Sequence, residues 1–135
     1  MNYTFTKEER LCSKRLIDSL FHNGFSFVLY PFRVVLQPLP KESLPRPVQC
    51  IISVPKRRFK HAVDRNLLKR RMREAYRLQK TDLYVFLEEH SLNSLIAFQY
   101  VGKEEVPFAY MQERMGLLIT KIKDEVTTRC LGKTD

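Results

Sequence analysis

The residues best suited to chemistry in this chain are cations crowded into one stretch. Residues 60–77 read KHAVDRNLLKRRMREAYR. Residues 56–80 hold eleven of the chain's 24 Lys and Arg residues but only two of its 15 acids, Asp64 and Glu74. This stretch therefore carries +9, which equals the formal net charge of the whole protein. Charges that serve solubility are spread over a surface, whereas a localised basic segment indicates a nucleic-acid partner.

Helical spacing sorts the basic stretch onto two faces. At about 100° per residue, an arc of roughly 100° holds a cationic ridge, which we define as Asn66, Lys69, Arg70, Arg73 and Arg77. The opposite side carries the apolar residues Leu68, Met72, Ala75 and Leu78. No acid lies within the arc, although solvated helix faces usually pair Glu with Lys at i,i+4. Because the guanidinium fork binds two phosphate oxygens at once, the ridge predicts a polyanion-binding helix.

The elements that must position this helix follow from the remaining pattern. The sequence predicts helices over residues 7–23, 62–79 and 107–128 and strands over residues 25–39, 48–54 and 95–101. Thr6 and Glu9 have the spacing of a capping box at the start of the first helix. The segment 81–94 carries a weaker pattern that is compatible with a short helix. Since the chain has 135 residues and no internal repeat, we expect a single domain over residues 1–135.

Alternation along the strands predicts a sheet with one buried face and one partly wet face. The wholly apolar positions are Phe32, Val34, Leu36, Cys50, Ile52 and Val54. The mixed positions are Arg33, Val35, Gln37, Gln49, Ile51 and Ser53. We expect the first set in the core, with Cys50 as a small buried hydrophobe.

Composition argues against several classes of protein. The three cysteines are odd in number and far apart, which fits neither a disulfide framework nor a zinc site and favours a reducing cytoplasm. No apolar run reaches membrane-spanning length, so we expect no membrane partner. A protein nuclease would need its own general base or a carboxylate cluster for Mg²⁺, and no such pattern surrounds the three scattered histidines. A helix-turn-helix reader needs a helix before its recognition helix, but VQCIISVPKR predicts a strand.

The string VPKRRFKHAVDRNLLKRRMREAYR resembles the signature of the bacterial ribonuclease P protein subunits. In that family a strand and a Lys-rich turn lead into a helix that reads approximately RNRxKRxxREaF. The matching residues are Lys56, Arg57, Ala62, Arg65, Asn66, Lys69, Arg70, Arg73, Glu74 and Tyr76. The resemblance implies an α+β fold, a single-domain α/β sandwich of order αβββαβα whose βαβ unit has a left-handed crossover.

The resemblance also implies a function. Proteins of this family assist a large RNA that cleaves the 5′ leader from precursor tRNA. The chain is thus expected to be a subunit of a ribonucleoprotein endoribonuclease, with no catalytic residue of its own. Its expected partners are ribonuclease P RNA and precursor tRNA, without an obligate protein partner. Mg²⁺ is expected in the holoenzyme, held mainly by RNA, and no cofactor or metal is expected on the protein.

Two sets of site residues follow from the resemblance. Those expected to bind the catalytic RNA are Arg57, Arg65, Asn66, Lys69, Arg70, Arg73 and Arg77. Those expected in a leader-binding cleft between the first helix and the mixed sheet face are Ile17, Phe21, Val35, Ser53 and Lys56.

Two residues depart from the family pattern. Leu67 stands where a further Arg is common, which removes one expected RNA or metal-linked contact. Val35 stands where an aromatic residue is common, so stacking on a leader base would depend on Phe21, Phe27 or Tyr30. An alternative reading uses the same ridge without a catalytic RNA partner: a ribosomal-type RNA-binding protein or an RNA chaperone.

Overall fold

The helices and strands follow one another in the order αβββαβα, as the resemblance implied. The structure is a computed structural model that describes residues 5–131. Its helices are α1 (Lys14–Asn23), α2 (Ala62–Glu89) and α3 (Phe108–Val126), and its strands are β1 (Phe25–Leu29), β2 (Phe32–Pro40), β3 (Val48–Ser53) and β4 (Leu92–Tyr100). A 3-10 turn (Lys7–Glu9) precedes α1, and a π turn (Thr127–Leu131) follows α3. The predicted α+β class is confirmed.

A single four-stranded sheet has the order β1-β2-β4-β3. The last strand in the chain, β4, occupies a central position, antiparallel to β2 and parallel to β3. Parallel neighbours require a crossover connection, and α2 supplies it between β3 and β4. The left hand of this crossover stays a prediction from the resemblance.

The main core lies between one sheet face and the helices α2 and α3. The predicted apolar strand positions Phe32, Val34 and Leu36 are buried here, and so is Cys50 at 2% exposure. From α2, the buried residues are Leu68, Met72, Ala75, Tyr76, Lys80, Leu83 and Leu87. The last two continue the apolar seam beyond residue 79, so the prediction of a helix end there was wrong. No Gly or Pro lies between Ala62 and Glu89, and the segment 81–94 forms the end of α2 and the start of β4.

A smaller core lies on the opposite sheet face, beneath α1. Leu20 of α1 packs there with Val35, Leu95 and Ala97. The helix begins later than predicted, at Lys14, and the Ser13 side chain caps it by accepting a hydrogen bond from the Leu16 backbone N–H at 3.3 Å. The predicted capping box is present, but it caps the separate 3-10 turn.

The predicted strand over residues 25–39 is two strands. Leu29 of β1 pairs with Phe32 of β2, and Tyr30 and Pro31 form the turn between them. The peptide bond between Tyr30 and Pro31 is cis. Because Pro31 has no N–H to donate to a strand ladder, the pairing stops there. Within residues 5–131, no helix is long and apolar enough to span a bilayer.

Candidate RNA interface

The cationic ridge occupies the first half of α2, as predicted. Leu68 and Met72 on the opposite side are fully buried against the sheet. Arg70 and Arg73 are exposed, and Lys69 is half-buried. The amphipathic sequence therefore fixes this helix with its apolar side inward and its cations outward.

Two arginines of the basic stretch hold the chain where it enters α2. The Arg65 guanidinium donates to the carbonyl oxygens of Phe59 at 2.8 Å and Lys60 at 2.9 Å. Arg58 donates to the carbonyl oxygen of Val101, just beyond β4. Both side chains thus stabilise loops, although Arg65 was predicted as an RNA contact.

Arg71 and Arg77 also have partners within the protein. Arg71 donates to the Val106 carbonyl oxygen at 2.7 Å, and its guanidinium lies 3.9 Å from the Glu105 carboxylate. Arg77 donates twice to Glu74, at 3.0 and 2.6 Å. The hydrogen bond from Arg77 holds the pKa of Glu74 below its ordinary value. No acid lies within the arc of the ridge, but Glu74, which lies outside that arc, pairs with Arg77.

Six other cations of the stretch point outward, and we call them the outward cations. They are Lys56, Arg57, Lys60, Lys69, Arg70 and Arg73. No carboxylate in residues 5–131 forms an ion pair with any of them. Exposed like charges close together repel one another, and a bound polyanion would relieve that repulsion.

A polar row crosses one end of the sheet face that carries α1. Arg33 lies opposite Gln99, which in turn lies opposite Ser53. The Arg33 guanidinium donates to Gln99 Oε1 at 2.7 Å and to Ser26 Oγ at 3.3 Å. Sequence reasoning missed Gln99 as a site residue, although it is the one polar residue in the run LIAFQYV.

The predicted cleft residues are only partly accessible. Phe21 is 48% exposed near the end of α1, and Ser53 and Lys56 are exposed. Ile17 is half-buried against the smaller core. Val35 is only 4% exposed beneath α1, so the prediction that its side chain forms an open cleft wall is wrong.

Phe27 and Tyr30 are the other aromatic residues expected to stack on a leader base in place of residue 35, and of these two Tyr30 is the exposed one. Phe27 packs against the main core on the sheet face opposite α1, with Lys121 Nζ 5.5 Å from its ring centre. Tyr30 is 47% exposed at the turn between β1 and β2. Phe27 is therefore on the wrong face for the predicted cleft.

A buried ion pair fixes the N-terminal segment against α2. Glu9 is fully buried and accepts hydrogen bonds from Lys80 and Tyr84 and, at 2.7 Å, from the Thr6 backbone N–H. Burial alone would raise the pKa of Glu9, but these hydrogen bonds outweigh it and the pKa lies below its ordinary value. Lys80, one of the cations in the basic stretch, is only 2% exposed and serves the core.

Residues 5–131 contain no cluster of His, Cys, Asp or Glu side chains arranged to hold a metal ion. The three thiols are free. Burial raises the pKa of the Cys50 thiol far above its ordinary value, so this cysteine stays protonated and is a core residue as predicted.

Comparison with known proteins identifies the family. A sequence model described as Ribonuclease P matches residues 5–123. The chain is 36% identical over 129 residues to the "Ribonuclease P protein component" of Porphyromonas gingivalis, covering 96% of this chain and 93% of that protein. The chain belongs to the ribonuclease P protein family. A second member, from Chlorobium phaeobacteroides, is 32% identical over 126 residues, covering 87% and 86% of the two chains.

Solved structures of family members have the same fold. The Staphylococcus aureus RNase P protein superposes with a TM-score of 0.64 at 21% identity, covering 86% of this chain and 95% of that one. The Thermotoga maritima RNase P protein gives a TM-score of 0.64 at 24% identity, covering 84% and 96%. At these identities the likeness shows the fold alone.

Proposed function

We propose that this chain is the protein subunit of ribonuclease P, which binds the catalytic RNA and helps it remove the 5′ leader from precursor tRNA. Membership of the ribonuclease P protein family supports the assignment. The observation that carries the RNA-binding role is the group of outward cations, which have no carboxylate partner in the described chain. Cleavage is assigned to the RNA, and the Mg²⁺ of the holoenzyme is assigned mainly to RNA ligands.

The outward cations bind the catalytic RNA through its phosphates. Each phosphate that a cation neutralises releases condensed counterions, which favours binding at low salt. The guanidinium groups of the outward arginines can each donate hydrogen bonds to two phosphate oxygens. These arginines are Arg57, Arg70 and Arg73. Asn66 is exposed on the same ridge and can donate through its amide. Arg65 contributes less because two loop carbonyls already accept its hydrogen bonds.

The polar row and α1 bind the leader of precursor tRNA. Because Arg33 is a donor, the Gln99 side-chain oxygen faces it and the Gln99 amide N–H groups point elsewhere. Ser53 extends the row to the edge strand β3. An exposed ring such as Phe21 offers a stacking surface that accepts any base, which suits a leader of variable sequence. A cleft of this kind distinguishes precursor tRNA from mature tRNA, which lacks a leader.

The test is cleavage of a 5′-extended precursor tRNA by the host's ribonuclease P RNA at low Mg²⁺, with and without the protein. We expect strong stimulation by the protein and no cleavage by the protein alone. An Arg70→Met, Arg73→Met double variant should stimulate weakly, since it removes two outward cations. Tight RNA binding without any stimulation would favour the alternative, a ribosomal-type RNA-binding protein or an RNA chaperone.

A further inference from the structure

A pocket of about 220 Å³ lies beside the cationic ridge, where the N-terminal segment crosses the outer edge of β3. Three cations line it: Arg10 from the N-terminal segment and Lys69 and Arg73 from α2. No carboxylate lines the pocket. Sequence spacing does not group Arg10 with the ridge, because Arg10 lies 59 positions before Lys69.

The N-terminal segment is held so that Arg10 faces this pocket. Its neighbours Glu9 and Leu11 are buried, whereas Arg10 is exposed. Glu9 pairs with Lys80 in the core, and the Leu11 N–H donates to the Cys50 carbonyl oxygen at 2.8 Å. The backbone is extended at Arg10, just after the 3-10 turn, and successive side chains of an extended backbone point to opposite sides. Because Leu11 is anchored inward, Arg10 points outward and lines the pocket with Lys69 and Arg73.

The lining of the pocket selects an anion attached to a less polar group. Three cations line the pocket without an acid among them. Their positive charges repel one another unless an anion is bound. The half-buried side chains of Ile51 and Ile52 supply an apolar wall. Along the outer edge of β3, the described chain makes one bridge, at Cys50, so the backbone beyond it is open to a further hydrogen-bond partner. A phosphate with its attached ribose combines the charge and the apolar surface that this lining matches.

We propose that Arg10, Lys69 and Arg73 form a binding pocket for one phosphodiester group of an RNA strand. The inference rests on the proposed function and extends the RNA interface from α2 onto the N-terminal segment. The phosphodiester can come from the catalytic RNA or from the leader of precursor tRNA. Arg10 and the ridge neutralise it together, so the pocket fixes the RNA at the junction of two chain segments.

The first test is the salt dependence of RNA binding by an Arg10→Gln variant of the full chain. With ribonuclease P RNA as the probe, the slope of log affinity against log salt should fall in magnitude by about 1. Arg129→Gln is the matched control, since Arg129 is exposed and stacks on Phe25 of β1 at the other sheet edge. A smaller slope with a single-stranded leader oligonucleotide alone would instead assign the phosphate to the leader. An unchanged slope for both probes would overturn the pocket.

The second test uses cysteines already in the chain. Cys12 lines the pocket and is exposed, while Cys130 is exposed in the π turn after α3. Saturating the protein with ribonuclease P RNA, or with the leader oligonucleotide, should slow alkylation of Cys12 by N-ethylmaleimide several-fold. The alkylation rate of Cys130 should stay unchanged, as measured by peptide mass spectrometry. Unprotected Cys12 with bound RNA would overturn the pocket.

The proposed function is tested separately by an Arg70→Met variant, because Arg70 lies outside the pocket lining. If Arg70→Met weakens RNA binding while Arg10→Gln and Cys12 show no effect, the pocket fails and the proposed function stands. If the wild-type chain neither binds ribonuclease P RNA nor stimulates it, the proposed function itself fails.

Discussion

The cations of residues 56–80 divide into two groups that differ in what they touch. The outward cations face solvent without a carboxylate partner in the described chain. Others hydrogen-bond within the protein: Arg58, Arg65, Arg71, Arg77 and Lys80. The net charge of a segment therefore overstates its capacity to bind RNA, since part of that charge stabilises the fold.

Helix geometry alone does not separate the two groups. Lys69, Arg73 and Lys80 are spaced at i, i+4 and i+11, which places them along one side of α2. That side is open at the first two residues and closed at Lys80, where the N-terminal segment covers it with Glu9. A tertiary contact, and not the helical period, decides which cation is available.

The largest expected effect comes from replacing the buried cation. Lys80→Met should lower the free energy of unfolding by about 3–5 kcal/mol, because it leaves the Glu9 carboxylate buried without its ion-pair partner. Arg73→Met makes a similar change on the same side of the helix and should alter stability by less than about 0.5 kcal/mol. Urea denaturation of both variants measures the difference. Equal losses of unfolding free energy in the two variants would show that Lys80 and Arg73 contribute alike to stability.

Phe21→Ala extends the comparison to an exposed ring. Binding of precursor tRNA to the holoenzyme should weaken by about 1–3 kcal/mol, while mature tRNA binding stays unchanged, because a stacking surface for the leader is lost. Leu117→Ala on α3 is the control, since Leu117 is likewise 48% exposed. A loss shared by both tRNAs, or a large fall in stability, would show that Phe21 serves packing.

Two neighbouring arginines offer the closest comparison. Arg70→Ala should reduce the magnitude of the log affinity against log salt slope for ribonuclease P RNA by about 0.9. Arg71→Ala should leave that slope unchanged but lower stability by about 1 kcal/mol, because Arg71 holds the carbonyl of Val106. Filter binding over a salt series and urea denaturation give the two quantities. If Arg71→Ala lowered the slope and Arg70→Ala lowered the stability, Arg71 would be the RNA contact and Arg70 the residue that stabilises the fold.

The smallest expected effect tests how far the Glu74 carboxylate lowers the RNA affinity of the ridge. Glu74→Gln removes the carboxylate that accepts two hydrogen bonds from Arg77 and removes a negative charge from the ridge. RNA affinity should rise about two- to threefold, in keeping with the small energies of exposed ion pairs. Glu113→Gln, at an exposed position on α3, controls for the change in net charge. An affinity that falls would mean that Glu74 positions Arg77 for RNA.

The sequence predicted features that depend on near neighbours. The ridge and its apolar counterpart follow from helical spacing over residues 62–79, and the buried strand positions follow from alternation. What it could not predict depends on distant partners. Lys80 lies 71 residues from Glu9, and Arg71 lies 35 residues from Val106. Val35 alternates with core residues and was therefore expected to be wet, but α1 packs over it.

The turn at Tyr30 and Pro31 was not predicted, for a different reason. It carries none of the Gly or Asn signals that mark most hairpins. Pro31 is the one sign of a break inside this apolar run, and Pro38 and Pro40 mark the end of the strand region more strongly. The resemblance to ribonuclease P proteins gave the count of three strands before α2, which the strand pattern alone did not.

The central position of β4 determines when the sheet can form during synthesis. Both β2 and β3 hydrogen-bond to β4, which begins at residue 92, so the sheet cannot assemble while the ribosome is still translating the first two-thirds of the chain. Its pairings join distant parts of the sequence, which slows folding. The cations of α2 leave the ribosome earlier than β4, before the sheet that orients them exists. A nascent chain therefore carries the positive charge of α2 before that charge has its folded arrangement.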